Sequence, residues 1–181
     1  MHPIDFIESL VADEGRITEV QISVYRYHPQ SLLDDRTTYR VPVNKLRATY
    51  ERLAQQLSEQ EDIAFHSVVR MGKTKRHFGL LDFQIADAKR VEEVAELLMS
   101  ENRARRAALV HSGRSYHLYL GVLLSHAAWV KFMGRILLLN AREEPPTVDP
   151  RWVGHRLMGG YGALRWSANV RPDLLRVVRQ W

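Results

Sequence analysis

The chain has no cysteine in 181 residues, which excludes disulfide bridges and every zinc site built on thiolates. It also lacks a long apolar run. The longest stretch, residues 127–139, is interrupted by Lys131 and Arg135 and is too short to span a bilayer. The opening Met1-His2-Pro3-Ile4-Asp5 has neither the basic nor the apolar block of a secretory leader, so the expectation is a cytoplasmic protein with no membrane partner. No internal repeat, low-complexity tail or Pro/Gly/Ser-rich linker divides the sequence. A hydrophobic fraction of 45% suffices for one core, and one domain over 1–181 is expected.

What is present is a basic balance, 26 Lys and Arg against 21 Asp and Glu for a formal charge of +5. Such a balance permits nucleic acid as a partner without selecting it. The positive residues cluster. Arg70, Lys73, Lys75 and Arg76 precede an apolar run ending near Asp82, and Arg103, Arg105 and Arg106 precede the segment at His111. Arg151, Arg156, Arg165, Arg171, Arg176 and Arg179 fill the last third. At strand entrances they would form a rim that tracks phosphates, with Lys73, Lys75 and Arg76 as candidate nucleic-acid contacts. The competing reading is an ordinary solvated surface.

The hydrophobic pattern predicts an α+β fold. A first helix is expected over 3–12 and a half-buried strand over 20–25. Next comes a helix capped by Asn44 and carrying Leu46, Tyr50, Leu53 and Leu57. Strands over 63–70 and 78–85 are joined by a turn at 71–75. Asp87 caps a helix bearing Val91, Val94, Ala95 and Leu98. Strands over 107–110 and 115–120 flank a Ser-Gly turn. Ser125 starts a helix with a core stripe of Trp129, Phe132, Met133, Ile136 and Leu137. A helix over 150–158, a glycine-rich breaker and a strand over 164–167 close the pattern. This order suggests helices packed on one face of a mainly antiparallel sheet.

Four segments carry candidate chemistry. In His111-Ser112-Gly113-Arg114-Ser115-Tyr116-His117, small residues lead into an alternating strand. Such a loop lets backbone N–H groups approach a phosphate while the strand aims the imidazole. In Leu80-Leu81-Asp82-Phe83-Gln84, positions 82 and 84 share one face of a strand, where two oxygen ligands can meet one cation. Downstream, Val148-Asp149-Pro150 reads as a helix N-cap with Pro at N1, a role that leaves the acid open to a second one. Leu164-Arg165-Trp166-Ser167 follows. His117 has its own plain alternative, a strand histidine hydrogen-bonded in the core.

Taken in chain order, with Asp82 upstream of His117 and Asp149 and Arg165 downstream, the segments resemble the archaeo-eukaryotic primase superfamily. Ser115-Tyr116-His117 is similar to its Ser-x-His signature, Asp82-x-Gln84 to its Asp-x-Asp pair, Val148-Asp149 to its third acidic motif and Arg165 with Ser167 to its nucleotide-side strand. The resemblance implies an RRM-derived core over 61–181 with an N-terminal αβ portion over 1–60. It lacks the zinc module that many primases carry. By the same resemblance Asp82 and Asp149 are catalytic and, with Gln84, hold Mg²⁺ or Mn²⁺. Ser112, Gly113, Arg114, Ser115, His117, Arg165 and Ser167 bind a nucleoside triphosphate, DNA or RNA is the polymer, and a partner protein comes from the same system. Gln84 is a departure, because an amide supplies no negative charge to a hard cation. Two functions follow: a primase-polymerase-like nucleotidyltransferase with a weakened two-metal site, or an inactive nucleotide- or nucleic-acid-binding accessory in replication, repair or defence. Two other classes stay open, a metal-dependent hydrolase using His111, His117, His126 and His155, and an interaction module with an exposed face of Trp152, Trp166 and Trp181.

Overall fold

Apolar side chains emerge from both faces of the central strands, and this decides the architecture. In strand β4 (Thr74–Asp82) Leu80 joins one core and Leu81 the other, and Tyr119 and Leu118 of β6 (Tyr116–Leu124) divide in the same way, as do Val110 and Leu109 of β5 (Ala107–His111). A sheet apolar on both faces must be covered on both. The structure, a computed structural model, describes residues 1–28, 31–32, 34–170 and 175–181; the predicted basic position Arg171 lies outside them.

Helices α1 (Pro3–Glu14) and α2 (Leu46–Ala54) cover one face through Ile4, Phe6, Ile7, Leu10, Leu46 and Leu53. Helices α3 (Ala88–Asn102), α4 (His126–Leu137) and α5 (Pro150–Gly159) cover the other through Val94, Leu98, Trp129, Phe132, Met133 and Val153. The expectation of helices on a single face is therefore corrected to three layers, α/β/α. Each fully buried Leu, Ile, Phe or Met contributes about 1.5–3 kcal/mol, so neither layer is dispensable. No helix among the described residues is long and apolar enough to cross a membrane.

The remaining strands are β1 (Glu19–Arg26), β2 (Arg36–Pro42), β3 (Glu61–Met71), β7 (Ala163–Arg165) and β8 (Arg176–Gln180). The sheet runs β2-β1-β3-β4-β6-β5-β8, with β7 paired to β3, and every pairing is antiparallel. The strands β2 and β8 have no counterpart in the pattern reading. Both are edge strands; β2 buries only Val41, and in β8 the adjacent Val177 and Val178 break the apolar–polar alternation that marks a half-buried strand.

Helix starts follow the local chemistry. Asp87 accepts from the Arg90 N–H at 3.2 Å and Ser125 from the Ala128 N–H at 3.2 Å. Asn44 is not a cap. Val43–Lys45 form a 3₁₀ turn, and Lys45 precedes α2 without a side-chain bond.

One irregularity prepares the site. β3 and β4 pair only from Val68↔His77 to Met71↔Thr74, and then separate. β7 fills the opening, pairing Ala64↔Arg165, Phe65↔Leu164 and His66↔Ala163. At the fork Ser67 donates its N–H to the Gly162 carbonyl at 2.8 Å and accepts the Gly162 N–H on Oγ at 2.9 Å. Arg165 thereby arrives between the end of β4 and the start of β3.

A Cβ at Gly121 would lie 2.8 Å from Leu10 Cδ2 and 3.0 Å from the Arg106 carbonyl oxygen. Gly121→Ala is expected to cost about 1–3 kcal/mol in urea unfolding. Gly134→Ala on α4, where nothing lies within 4 Å of the new Cβ, is expected to stabilise by up to about 1 kcal/mol.

Candidate functional site

The site grows from one antiparallel bridge beyond the end of β4. Phe83 pairs with Val148, and around it Asp149 donates its N–H to the Asp82 carbonyl at 3.2 Å while Gln84 donates to the Thr147 carbonyl at 2.9 Å. Phe83 and Val148 are 1% and 0% exposed in the core beneath α3 and α4. Side chains alternate across a strand, so Asp82, Gln84 and Asp149 take the opposite face. Residues facing each other across such a pair stand about 4.5–5.5 Å apart at Cβ, which makes Asp82 and Asp149 neighbours. Asn140 fixes the incoming segment by accepting the Val148 N–H at 2.9 Å and donating to its carbonyl at 3.1 Å.

Asp149 is also the N-cap of α5, where its Oδ1 accepts from the Arg151 and Trp152 N–H groups at 2.8 and 3.1 Å. Both bonds use the same oxygen, so capping leaves Oδ2 out of the cap. On the other flank of Asp82 the register places His117 directly opposite. Its Nε2 lies 3.6 Å from Asp82 Oδ1, longer than a hydrogen bond, and its buried Nδ1 has no protein partner. Burial first, and then the charge of Arg165, bring His117 down to about 3. The ring is neutral near pH 7 and able to present one N–H without adding charge.

The loop before β6 is closed on itself. Ser112 donates its N–H to the Ser115 carbonyl at 2.9 Å, the two hydroxyls lie 3.3 Å apart, and the Gly113 N–H reaches His111 Nδ1 at 3.3 Å. Gly113 has φ 103°, a conformation that requires glycine. Arg114 is exposed at the tip. Arg165 ties this loop to the strand beside it, donating Nη2 to the Ser112 carbonyl and Nη1 to the Ser167 carbonyl, each at 2.7 Å. Ser167 turns into β3: its hydroxyl donates to Asp62 at 2.6 Å and accepts the Ile63 N–H at 2.7 Å.

Asp82, Gln84, Asp149 and His117 therefore sit together, with Arg165 holding the 112–115 loop beside them. Lys73, Lys75 and Arg76 do not join them. They occupy the opposite end of β4, whose nine residues span roughly 25–30 Å. Sequence reading misses Tyr25, which pairs with both Asp62 and Arg36. Burial foremost, then Asp62, push its hydroxyl up to about 12, with Arg36 and Arg165 opposing and Asp82 adding. Its signal is hidden because β2, which supplies one of its neighbours, is itself unreadable from the pattern.

The competing classes lose their geometry. His126 pairs with His77 at 3.3 Å and His111 with the Gly113 N–H, and among the described residues no group of three or more His, Asp or Glu side chains is disposed to share an ion. Trp166 is 0% exposed and stacks on Phe65 at 4.6 Å, so the three tryptophans form no exposed face.

The family model for archaeo-eukaryotic primase 1D-like domains matches residues 43–175. The chain belongs to this primase family. The matched region includes the bridge, the His117 strand and Arg165, and excludes α1, β1 and β2. Among solved structures, the catalytic domain of primase Repb', in complex with initiator DNA, is similar with a TM-score of 0.54 at 13% identity. The match covers 99% of this chain and 85% of that one, and it shows a shared fold. No curated protein matches the chain.

Three buried histidines set the acid response. His66 and His117 are held at about 3 and His77 at about 4, in each case mainly by burial. Below their ordinary value near 6.5 the unfolded chain takes up protons that the folded chain refuses. Stability therefore falls as pH drops from about 6.5 towards 4, by at most about 1.4 kcal/mol per pH unit for each ring. Urea titrations at pH 7 and 5 should show this loss, and His117→Gln should reduce the slope.

Proposed function

We propose that this primase-family domain binds a nucleoside triphosphate with one divalent cation at the Asp82–Asp149 pair and transfers nucleotides onto a nucleic-acid strand. The single observation that carries the reading is the Phe83–Val148 bridge, which sets two acids of distant sequence side by side with His117 on their flank.

The donor set suits a hard cation. Two carboxylates and the amide oxygen of Gln84 are oxygen ligands of the kind that Mg²⁺ and Mn²⁺ take, with one negative charge fewer than an all-acid set. Asp82 and Asp149 would hold the ion, which when bound withdraws charge from the reacting phosphate and hydroxyl oxygens. The neutral His117 offers an N–H to a phosphate oxygen, Arg114 brings an exposed cation to the loop tip, and Arg165 keeps the 112–115 loop in register with β7. Initiator DNA bound to the Repb' catalytic domain supports a nucleic-acid partner for this chain.

Gln84 favours a second reading. Loss of one charged ligand spares ground-state binding more than it spares chemistry, which describes an accessory that binds nucleotide without turning it over. Titration with a nucleoside triphosphate and Mn²⁺ separates a site from no site: wild type should bind, with His117→Ala and Arg165→Ala weakened about tenfold or more. Identical signals from all three proteins would count against nucleotide binding here. Gln84→Asp should raise extension of a primed template with Mg²⁺ or Mn²⁺. A variant that binds nucleotide and extends nothing assigns the accessory role.

A further inference from the structure

Two arginines converge on one carboxylate on the sheet face opposite the α1–α2 core. Ile22 and Phe65 face that core, so Ser23 and His66 face away from it, towards α5. There Asp34 Oδ1 accepts from Arg36 Nε at 2.5 Å and Asp34 Oδ2 from Arg156 Nη2 at 2.9 Å. Arg36 also donates to Ser23 Oγ at 3.3 Å, and that hydroxyl is hydrogen-bonded to His66 Nε2 at 2.8 Å. The His66 ring stacks on Tyr161 at 4.2 Å, and Arg36 lies over Tyr25 at 4.3 Å.

The charges in this cluster do not balance. Two guanidiniums face one carboxylate, and His66, held neutral by burial, adds nothing. Arg156 is 3% exposed and its Nη1 has no protein partner; His66 is 0% exposed and its Nδ1 has none either. A buried guanidinium that shares its one carboxylate with a second guanidinium, and keeps a donor unmet, is costly. Burial and the like charge of Arg36 draw the pKa of Arg156 down despite Asp34. On the carboxylate side, partial burial opposes ionisation, yet Arg36 and Arg156 hold Asp34 below the usual range.

We propose that Arg36 and Arg156 form an anion subsite for a backbone phosphate of a nucleic-acid strand, with the Asp34 carboxylate standing in for that phosphate when no strand is bound. A phosphodiester carries the same single charge as Asp34 and further acceptor lone pairs for the unmet donors, and guanidinium forks suit its two free oxygens. Of the three charged groups, Asp34 has the most exposed side chain, at 27%, against 11% for Arg36 and 3% for Arg156. The surroundings fit a strand: Tyr27, just past the end of β1, is 59% exposed, an aromatic surface of the kind on which single strands stack. Ser23 and Arg165 pair with Ala64 from the two sides of β3, so the subsite adjoins the candidate catalytic end.

The inference rests on the nucleic-acid part of the proposed function and is independent of its nucleotide site. The test is fluorescence anisotropy of a mixed-sequence single-stranded DNA oligonucleotide with the full chain, with inorganic phosphate and ATP as parallel arms. Asp34→Asn should bind the oligonucleotide about tenfold more tightly than wild type, and adding Arg36→Gln to it should abolish the gain. Arg36→Lys, which keeps the charge and loses the fork, should fall between. A lower melting temperature for Asp34→Asn with no gain in binding would overturn the proposal and leave a structural ion network. A gain confined to phosphate or ATP would overturn the strand assignment. If His117→Ala removes oligonucleotide binding and Arg36→Gln does not, the strand is held only at the Asp82 end. The subsite then fails while the proposed function stands.

Discussion

Everything at the candidate site depends on one two-residue pairing, Phe83 with Val148, because it joins a loop-borne acid to a strand-borne one. The pairing is held by burial and not by charge. Both side chains are sealed in the α3–α4 core, and Asn140 satisfies both backbone groups of Val148. This solves an electrostatic difficulty, since carboxylates on residues facing each other across a strand pair repel. Apolar packing on the far side of the strands supplies the force that keeps them adjacent. On the other flank the neutral ring of His117 adds a donor and no charge.

The fork between β3 and β4 is the second constraint. Had β4 stayed paired with β3 over its full length, there would be no place for β7, and Arg165 could not reach the Ser112 carbonyl. The guanidinium spends two of its donors on backbone carbonyls, which makes it a strut of the loop in this arrangement. Ser167, bonded to Asp62 and Ile63, is a strut of the same kind. Residues that read as ligands in sequence thus act here through the shape of the backbone that presents the others.

Much of the site is legible in the amino-acid sequence because its signals are local. The caps at Asp87, Ser125 and Asp149, the glycine at 113 and the alternation around His117 depend on a few neighbouring residues. Edge strands β2 and β8 are illegible because their pairing is decided by what lies beside them and their own residues are mostly polar. The second helical layer escapes for a related reason: continuous apolar runs such as 78–81 look the same whether one face or both are covered. Arg36 and Arg156 are separated by 120 positions in sequence and meet only through β2 and α5, so no spacing rule connects them.

Gln84 shows how scaffold and charge separate at this site. Its backbone N–H makes the bond to Thr147 that any residue at this position would make, and its exposed side chain contributes nothing to the core. The positions of Asp82 and Asp149 therefore do not depend on what residue 84 is. A change there alters the charge at this end of the sheet while leaving the backbone arrangement intact. The same separation holds at Arg36 and Arg156. There the backbone is set by the β1–β2 register at Arg36 and by helix α5 at Arg156, and the excess positive charge is a property of the side chains alone.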